Sequence, residues 1–242
     1  MEALVIILVL IGLGLAGYAM FSRARGSPLG QRAETYARSE TQPPSGTGAA
    51  REPTIETLRP GDAISFWDGE DAVVETVLDC EEQVGARRTR WRWNLLRGGR
   101  MLETAPDDNV LYTSSEVFHQ GSAPFEALTA DPASGGVLKT FEARVRAGSI
   151  GSNPVSYEYQ GKQYRVSSTG TFSAMVLGAA PTGEVWRDIA DDPSQNVYFE
   201  LEAPDGSQGL GIWTTHILLL VGQPLRASDI RNVYSGQSEP TA

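Results

Sequence analysis

The chain has 242 residues, a formal net charge of −10 and a single cysteine. Its first 50 residues hold four arginines and three acids, leaving 16 basic and 27 acidic residues beyond them, a balance of −11. Phosphate contacts dominate nucleic-acid affinity and would be opposed by that field, so general nucleic-acid binding is excluded. With Cys80 alone, neither an intrachain disulfide nor a thiol-based metal site can form within one chain. Its apolar setting, Val77-Leu78-Asp79-Cys80, reads as that of a small core residue.

Residues 3–21 are apolar and carry no charge. A helix of that length rises about 28 Å, close to the hydrocarbon thickness of a bilayer. A cleaved secretory signal would need a basic start and a shorter apolar core, whereas Glu2 precedes this run and Arg23, Arg25 and Arg32 follow it. The expectation is therefore an uncleaved single-pass anchor over 1–21 whose basic flank faces the cytoplasm, which places the protein in the cell membrane with its soluble part cytoplasmic. Gly12, Gly14, Ala16 and Gly17 leave one side of the helix small. That suits a dimer face or lipid-facing filler, of which the second needs no partner. Residues 22–53 turn to Ser, Gly, Pro, Gln and Arg around Pro43-Pro44-Ser45-Gly46, a composition that cannot offset its ordering entropy and reads as a flexible linker.

From residue 54 onward the pattern is of strands and turns. Ala63 to Trp67 alternates after Arg59-Pro60-Gly61-Asp62, residues 72–78 and 90–96 are strand-like, and Arg97-Gly98-Gly99-Arg100 offers a hairpin. The second half repeats this rhythm with Ser156 to Tyr159, a Gln160-Gly161 turn, Gln163 to Ser168, Asn196 to Glu202, a Pro204-Asp205-Gly206 turn, and the apolar Ile217 to Val221. Only residues 116–128 and a few flanking pieces suggest short helix. The expected fold class is mainly β: an antiparallel β-rich soluble region in two related lobes, over 54–130 and 137–234, joined at the linker-like Thr129 to Gly136 and followed by a tail over 235–242. The shared order of strands, running from Ser65 to Leu111 and again from Ser156 to Leu220, points to an internal duplication.

The catalytic inventory is thin. His119 and His216 fall in unrelated sequence settings, and neither G-x-S-x-G nor H-E-x-x-H accompanies them. Asp188, Asp191 and Asp192 cluster ahead of Asn196, but the spacing is not that of a calcium loop and Asp-Asp-Pro-Ser is ordinary turn chemistry. Neither a metal nor a cofactor is expected. The strongest local feature is Arg87-Arg88-Thr89-Arg90-Trp91-Arg92-Trp93, with Arg97 and Arg100 close behind. A strand's period of two sends Trp91 and Trp93 to one face and Arg90 and Arg92 to the other. The arginines then serve either as solvent-facing partners of the protein's own acids or as a binding face for an anionic partner or headgroup.

Tyr157 to Val166, Val197 to Glu202 and Gly211-Ile212-Trp213, with Leu58-Arg59-Pro60-Gly61-Asp62 as an opening motif, resemble a bacterial domain-of-unknown-function family, number four-one-seven-eight. The resemblance covers about 157–225, and everything after the linker if the halves are duplicates. It implies a small β-rich domain with no assigned chemistry and, by gene neighbourhood, an association with envelope and membrane-stress systems. The functional expectation is a membrane-tethered, non-catalytic interaction or scaffold module with a protein partner at the membrane. The alternatives are a small-ligand-binding module or, further off, an enzyme built from dispersed acids.

Overall fold

The computed structural model describes residues 53–236 apart from 107, 152 and 195. The anchor expected over 1–21, nearly all of the 22–53 linker and most of the tail lie outside the described residues. No helix among the described residues is long and apolar enough to cross a membrane.

The described chain is mainly β. Its eleven strands are β1 (Ala63–Phe66), β2 (Asp71–Val84), β3 (Arg87–Leu96), β4 (Arg100–Ala105), β5 (Asp108–Phe118), β6 (Ser156–Tyr159), β7 (Lys162–Gly178), β8 (Asn196–Glu202), β9 (Gln208–Trp213), β10 (Ile217–Pro224) and β11 (Ile230–Tyr234). The order β2-β3-β4-β5-β10-β9-β8-β7 closes on itself through β2 and β7, giving an eight-stranded antiparallel barrel. Closure runs from Thr76 opposite Gly178 to Glu81 opposite Ser173. β1 and β11 extend the sheet beyond β2, and β6 extends it beyond β7. Register shifts within the β2–β3, β5–β10 and β7–β8 pairs mark where strands bend around the barrel.

Local chemistry accounts for the turns. Gly98 and Gly99 both sit at positive φ, 89° and 80°, a conformation open to glycine at no steric cost, and they reverse the chain between β3 and β4. Residues 116–128, expected as helix, divide instead. Phe118 ends β5 as a buried residue, Gly121 turns at φ 82°, and α1 (Ala123–Thr129) begins only after Ser122, whose side chain accepts from the Phe125 backbone N–H at 3.4 Å. Two further helices are α2 (Val137–Arg146) and α3 (Glu184–Asp191).

Three apolar layers hold the fold. The barrel interior is filled by alternate residues of its strands, among them Leu78, Trp91, Trp93, Phe172, Tyr198 and Ile212. Trp93 packs edge-on to Phe172 with ring centroids 4.9 Å apart. Val185 and Ile189 of α3, four residues apart and so on one helix face, enter the same cluster and close one end of the barrel. Outside, α1, α2 and β6 cover the second half through Leu128, Phe141, Tyr157 and Phe199. Leu58, Ile64, Phe66 and Val77 form a third cluster under β1 and β11 on the first half.

Each half carries five strands in the same order, β1–β5 and β6–β10. A short strand makes a hairpin with a long one, and three more strands follow. The halves meet edge to edge, second strand with second and fifth with fifth, so β2–β5 and β7–β10 share one closed sheet.

Candidate functional site

β3 follows the expected alternation. Trp91 and Trp93 are buried, and Arg88, Arg90 and Arg92 lie on the outer face. Arg87 is out of phase with them and acts electrostatically on Glu82 instead. Arg97 and Arg100 sit past the strand, at the barrel end that α3 closes, so the six arginines do not share one surface. Across the β2–β3 ladder Asp79 stands opposite Arg92 and Glu81 opposite Arg90. The charges meet directly, Arg92 with Asp79 at 2.6 Å, Arg90 with Glu81 at 2.8 Å and Arg88 with Glu81 at 3.6 Å. Arg92 also donates from Nη1 to the Glu56 carbonyl at 3.2 Å. On the far side of β2, Met175 faces Asp79 and Ser173 faces Glu81. Parallel rows of arginine, acid and β7 side chains result, bordering a groove of about 460 Å³. Met175 and Leu177 are exposed within the β7 row.

Arg97 pairs with Glu75 at 3.1 Å and Arg100 with Glu70 at 2.6 Å. Both arginines line a cleft of about 490 Å³ whose other walls include Thr76, Ser115, Pro181 and Trp186. Thr76 Oγ1 donates to the Ala179 carbonyl at 2.9 Å, which ties the segment leading into α3 onto β2.

The same barrel end unites three residues that the sequence leaves far apart. Phe118 lies opposite Ile217 in the β5–β10 ladder, so His119, just after β5, and His216, just before β10, come side by side with ring centroids 4.9 Å apart. Glu184, first residue of α3, reaches both: its Oε2 is 3.6 Å from His119 Nδ1 and 3.7 Å from His216 Nε2. One turn further along α3, Asp188 Oδ2 accepts from Thr214 Oγ1 at 2.8 Å and from the Thr215 N–H at 3.4 Å. It thereby fixes the β9–β10 turn that carries His216. The Gln120 N–H donates to His216 Nδ1 at 3.1 Å and sets the ring's orientation. Asp188 therefore has a positioning part that the sequence reading, which weighed it only as one of a cluster of cation-binding acids, misses. Asp192, by contrast, does accept from its own turn, at Ser194 Oγ.

Inside the barrel, Cys80 is buried, and burial, then Glu103 and Asp79, push its thiol well above the ordinary range. A protonated, enclosed thiol is inert, in keeping with its reading as a core residue. Glu103 accepts from Trp93 Nε1 at 3.2 Å and from the Tyr112 hydroxyl at 3.4 Å, placing a carboxylate among the interior aromatics. No family model, curated protein or solved structure matches the chain.

Proposed function

We propose that this protein is a membrane-tethered, non-catalytic interaction module, held by a single-pass helix over 1–21 with the barrel on the cytoplasmic side, and that it engages a protein partner at the membrane. One observation carries the reading: the barrel interior is packed by aromatic and branched side chains and closed by α3, so recognition falls to the outer surface. There the β3–β2–β7 face sets exposed Met175 and Leu177 beside rows of acid and arginine. Such a face fits a partner that seats an apolar side chain on β7 and an acidic group along the arginine row, where Arg88, Arg90 and Arg92 outnumber Asp79 and Glu81. The net charge disfavours nucleic acid. The chain's resemblance to the four-one-seven-eight family, and the matching strand order of its two halves, support a duplicated member of that family serving an envelope or membrane-stress system.

A second reading has its own observation. The cleft beside Arg97, Arg100 and Trp186 has the volume of a small-molecule site, and its guanidiniums, paired with Glu75 and Glu70, give it a polar rim beside an aromatic wall, which suits a small ligand.

Cross-linking and co-purification from native membranes test the first reading, comparing wild type with Arg90→Gln/Arg92→Gln and with Met175→Glu at matched abundance. The expected result is a partner whose recovery falls in both variants and falls with salt in the wild type. Unchanged recovery in both variants removes this face. Protease added to spheroplasts should spare the barrel until lysis, and cleavage before lysis overturns the cytoplasmic placement.

A further inference from the structure

We propose that His119, Glu184 and His216 form a binding site for one divalent transition-metal ion of the zinc, cobalt and nickel class. The three side chains come from three separate places in the chain, the residue after β5, the start of α3 and the residue before β10, and the fold converges them without any of them serving the core. One ligand atom from each lies within 4.8 Å of the other two.

The spacing is what points to a cation. At 3.6 and 3.7 Å from the two ring nitrogens, Glu184 Oε2 is too far away for a hydrogen bond to either. Donors bound tetrahedrally to zinc at about 2.0–2.1 Å stand roughly 3.3 Å apart. The two N···O separations exceed that by only a few tenths of an ångström, and the two histidine nitrogens lie within 4.8 Å of each other, so rotation of the exposed side chains is what closes the set around an ion. Two imidazoles and a carboxylate are a donor set that zinc accepts with a fourth position open, and all three residues reach solvent, so that position would be occupied by water or an incoming ligand. Asp188 contributes at one remove: it does not touch the imidazole, but it immobilises the turn before His216 through Thr214 and Thr215.

The Gln120 contact gives the site a signature. A neutral imidazole has one lone pair, and with the Gln120 N–H donating to Nδ1 the His216 proton resides on Nε2, facing Glu184. A metal at Nε2 needs the lone pair there. Binding therefore moves the His216 proton to Nδ1 and displaces the Gln120 N–H from that nitrogen.

The test uses the full chain without an affinity tag, in detergent micelles, with Co²⁺ as an optical probe and Zn²⁺ in calorimetry. The expected outcome is one ion per chain, with His119→Ala, Glu184→Gln and His216→Ala each weakening binding by roughly tenfold or more. Asp191→Asn, an exposed acid on α3 outside the cluster, should bind as wild type does. Circular dichroism shows whether each variant is folded, and the exposed positions of His119 and Glu184 leave the core intact. In ¹⁵N-histidine spectra Zn²⁺ should switch the His216 tautomer. Absence of binding, binding indifferent to the three substitutions, or zinc uptake that leaves the His216 ring signals unmoved would each overturn the assignment.

Discussion

At the scale of single residues, burial decides what each side chain on β3 contributes. Trp93 has no exposed surface and donates its indole N–H to Glu103. Trp93→Ala removes both the ring and that donor and should cost about 3–5 kcal/mol in urea unfolding. Arg90→Gln and Arg92→Gln, at partly exposed ion pairs, should each stay within about 1 kcal/mol of wild type. Equal losses for the Trp and Arg substitutions would contradict the alternation. Glu82 makes the opposite case, a charge that the fold tolerates with difficulty. Burial raises its carboxyl above the ordinary value and Glu200 adds to this, against the Tyr198 hydroxyl and Arg87. A raised pKa means the folded state keeps its proton longer than the unfolded chain does. Stability from this group therefore falls as pH climbs from the unfolded value, about 4.3, through the folded one, and the penalty is complete above it. Glu82→Gln should accordingly melt higher than wild type at pH 7–8, with the advantage vanishing below about pH 4. An advantage that persists at pH 3.5 would show that something other than ionisation is responsible.

At the scale of elements, the β8–β9 hairpin shows how a small residue permits a large one. Phe199 and Gly211 are cross-strand partners, and a Cβ at Gly211 would overlap the Phe199 ring, which is fully buried. Gly211→Ala should therefore destabilise by about 1–3 kcal/mol through overpacking, and Gly211→Ala/Phe199→Leu should recover part of the loss. Additive losses in the double variant would mean that the two residues do not compete for the same space. Much at this scale is legible in the sequence. The hairpins at Gly98-Gly99, Gln160-Gly161 and Asp205-Gly206, and the division of Trp from Arg on β3, follow from turn chemistry and period two. The helix α3 is less legible, because its apolar stripe of Val185, Trp186 and Ile189 spans only eight residues, beside acids that read equally as a turn. The meeting of His119 with His216 is not legible at all. It depends on β5 pairing with β10 in one register, and alternation within a strand carries no information about which distant strand will be its neighbour.

At the scale of the whole molecule, the barrel makes its two halves depend on each other. Neither four-stranded sheet, β2–β5 or β7–β10, has both edges satisfied until β2 meets β7 and β5 meets β10. The interior cluster draws Trp91, Trp93 and Met101 from one half and Phe172, Tyr198, Ile212 and Leu220 from the other, so the barrel core is incomplete within either. Separating the halves would expose the aromatic interior and four strand edges together, a change with no stable midpoint. Unfolding should thus be one cooperative transition, in which intrinsic tryptophan fluorescence, drawn from Trp91 and Trp93 of the first half and Trp186 and Trp213 of the second, and far-ultraviolet circular dichroism, reporting strands of both, give the same urea midpoint and slope. Phe172→Ala, made in β7 of the second half, should move the fluorescence midpoint as far as the dichroism midpoint, because Phe172 packs on Trp91 and Trp93 across the barrel. Two separated transitions, or a Phe172→Ala shift confined to one probe, would mean that the halves fold as independent units and that the β2–β7 and β5–β10 seams are contacts between finished domains.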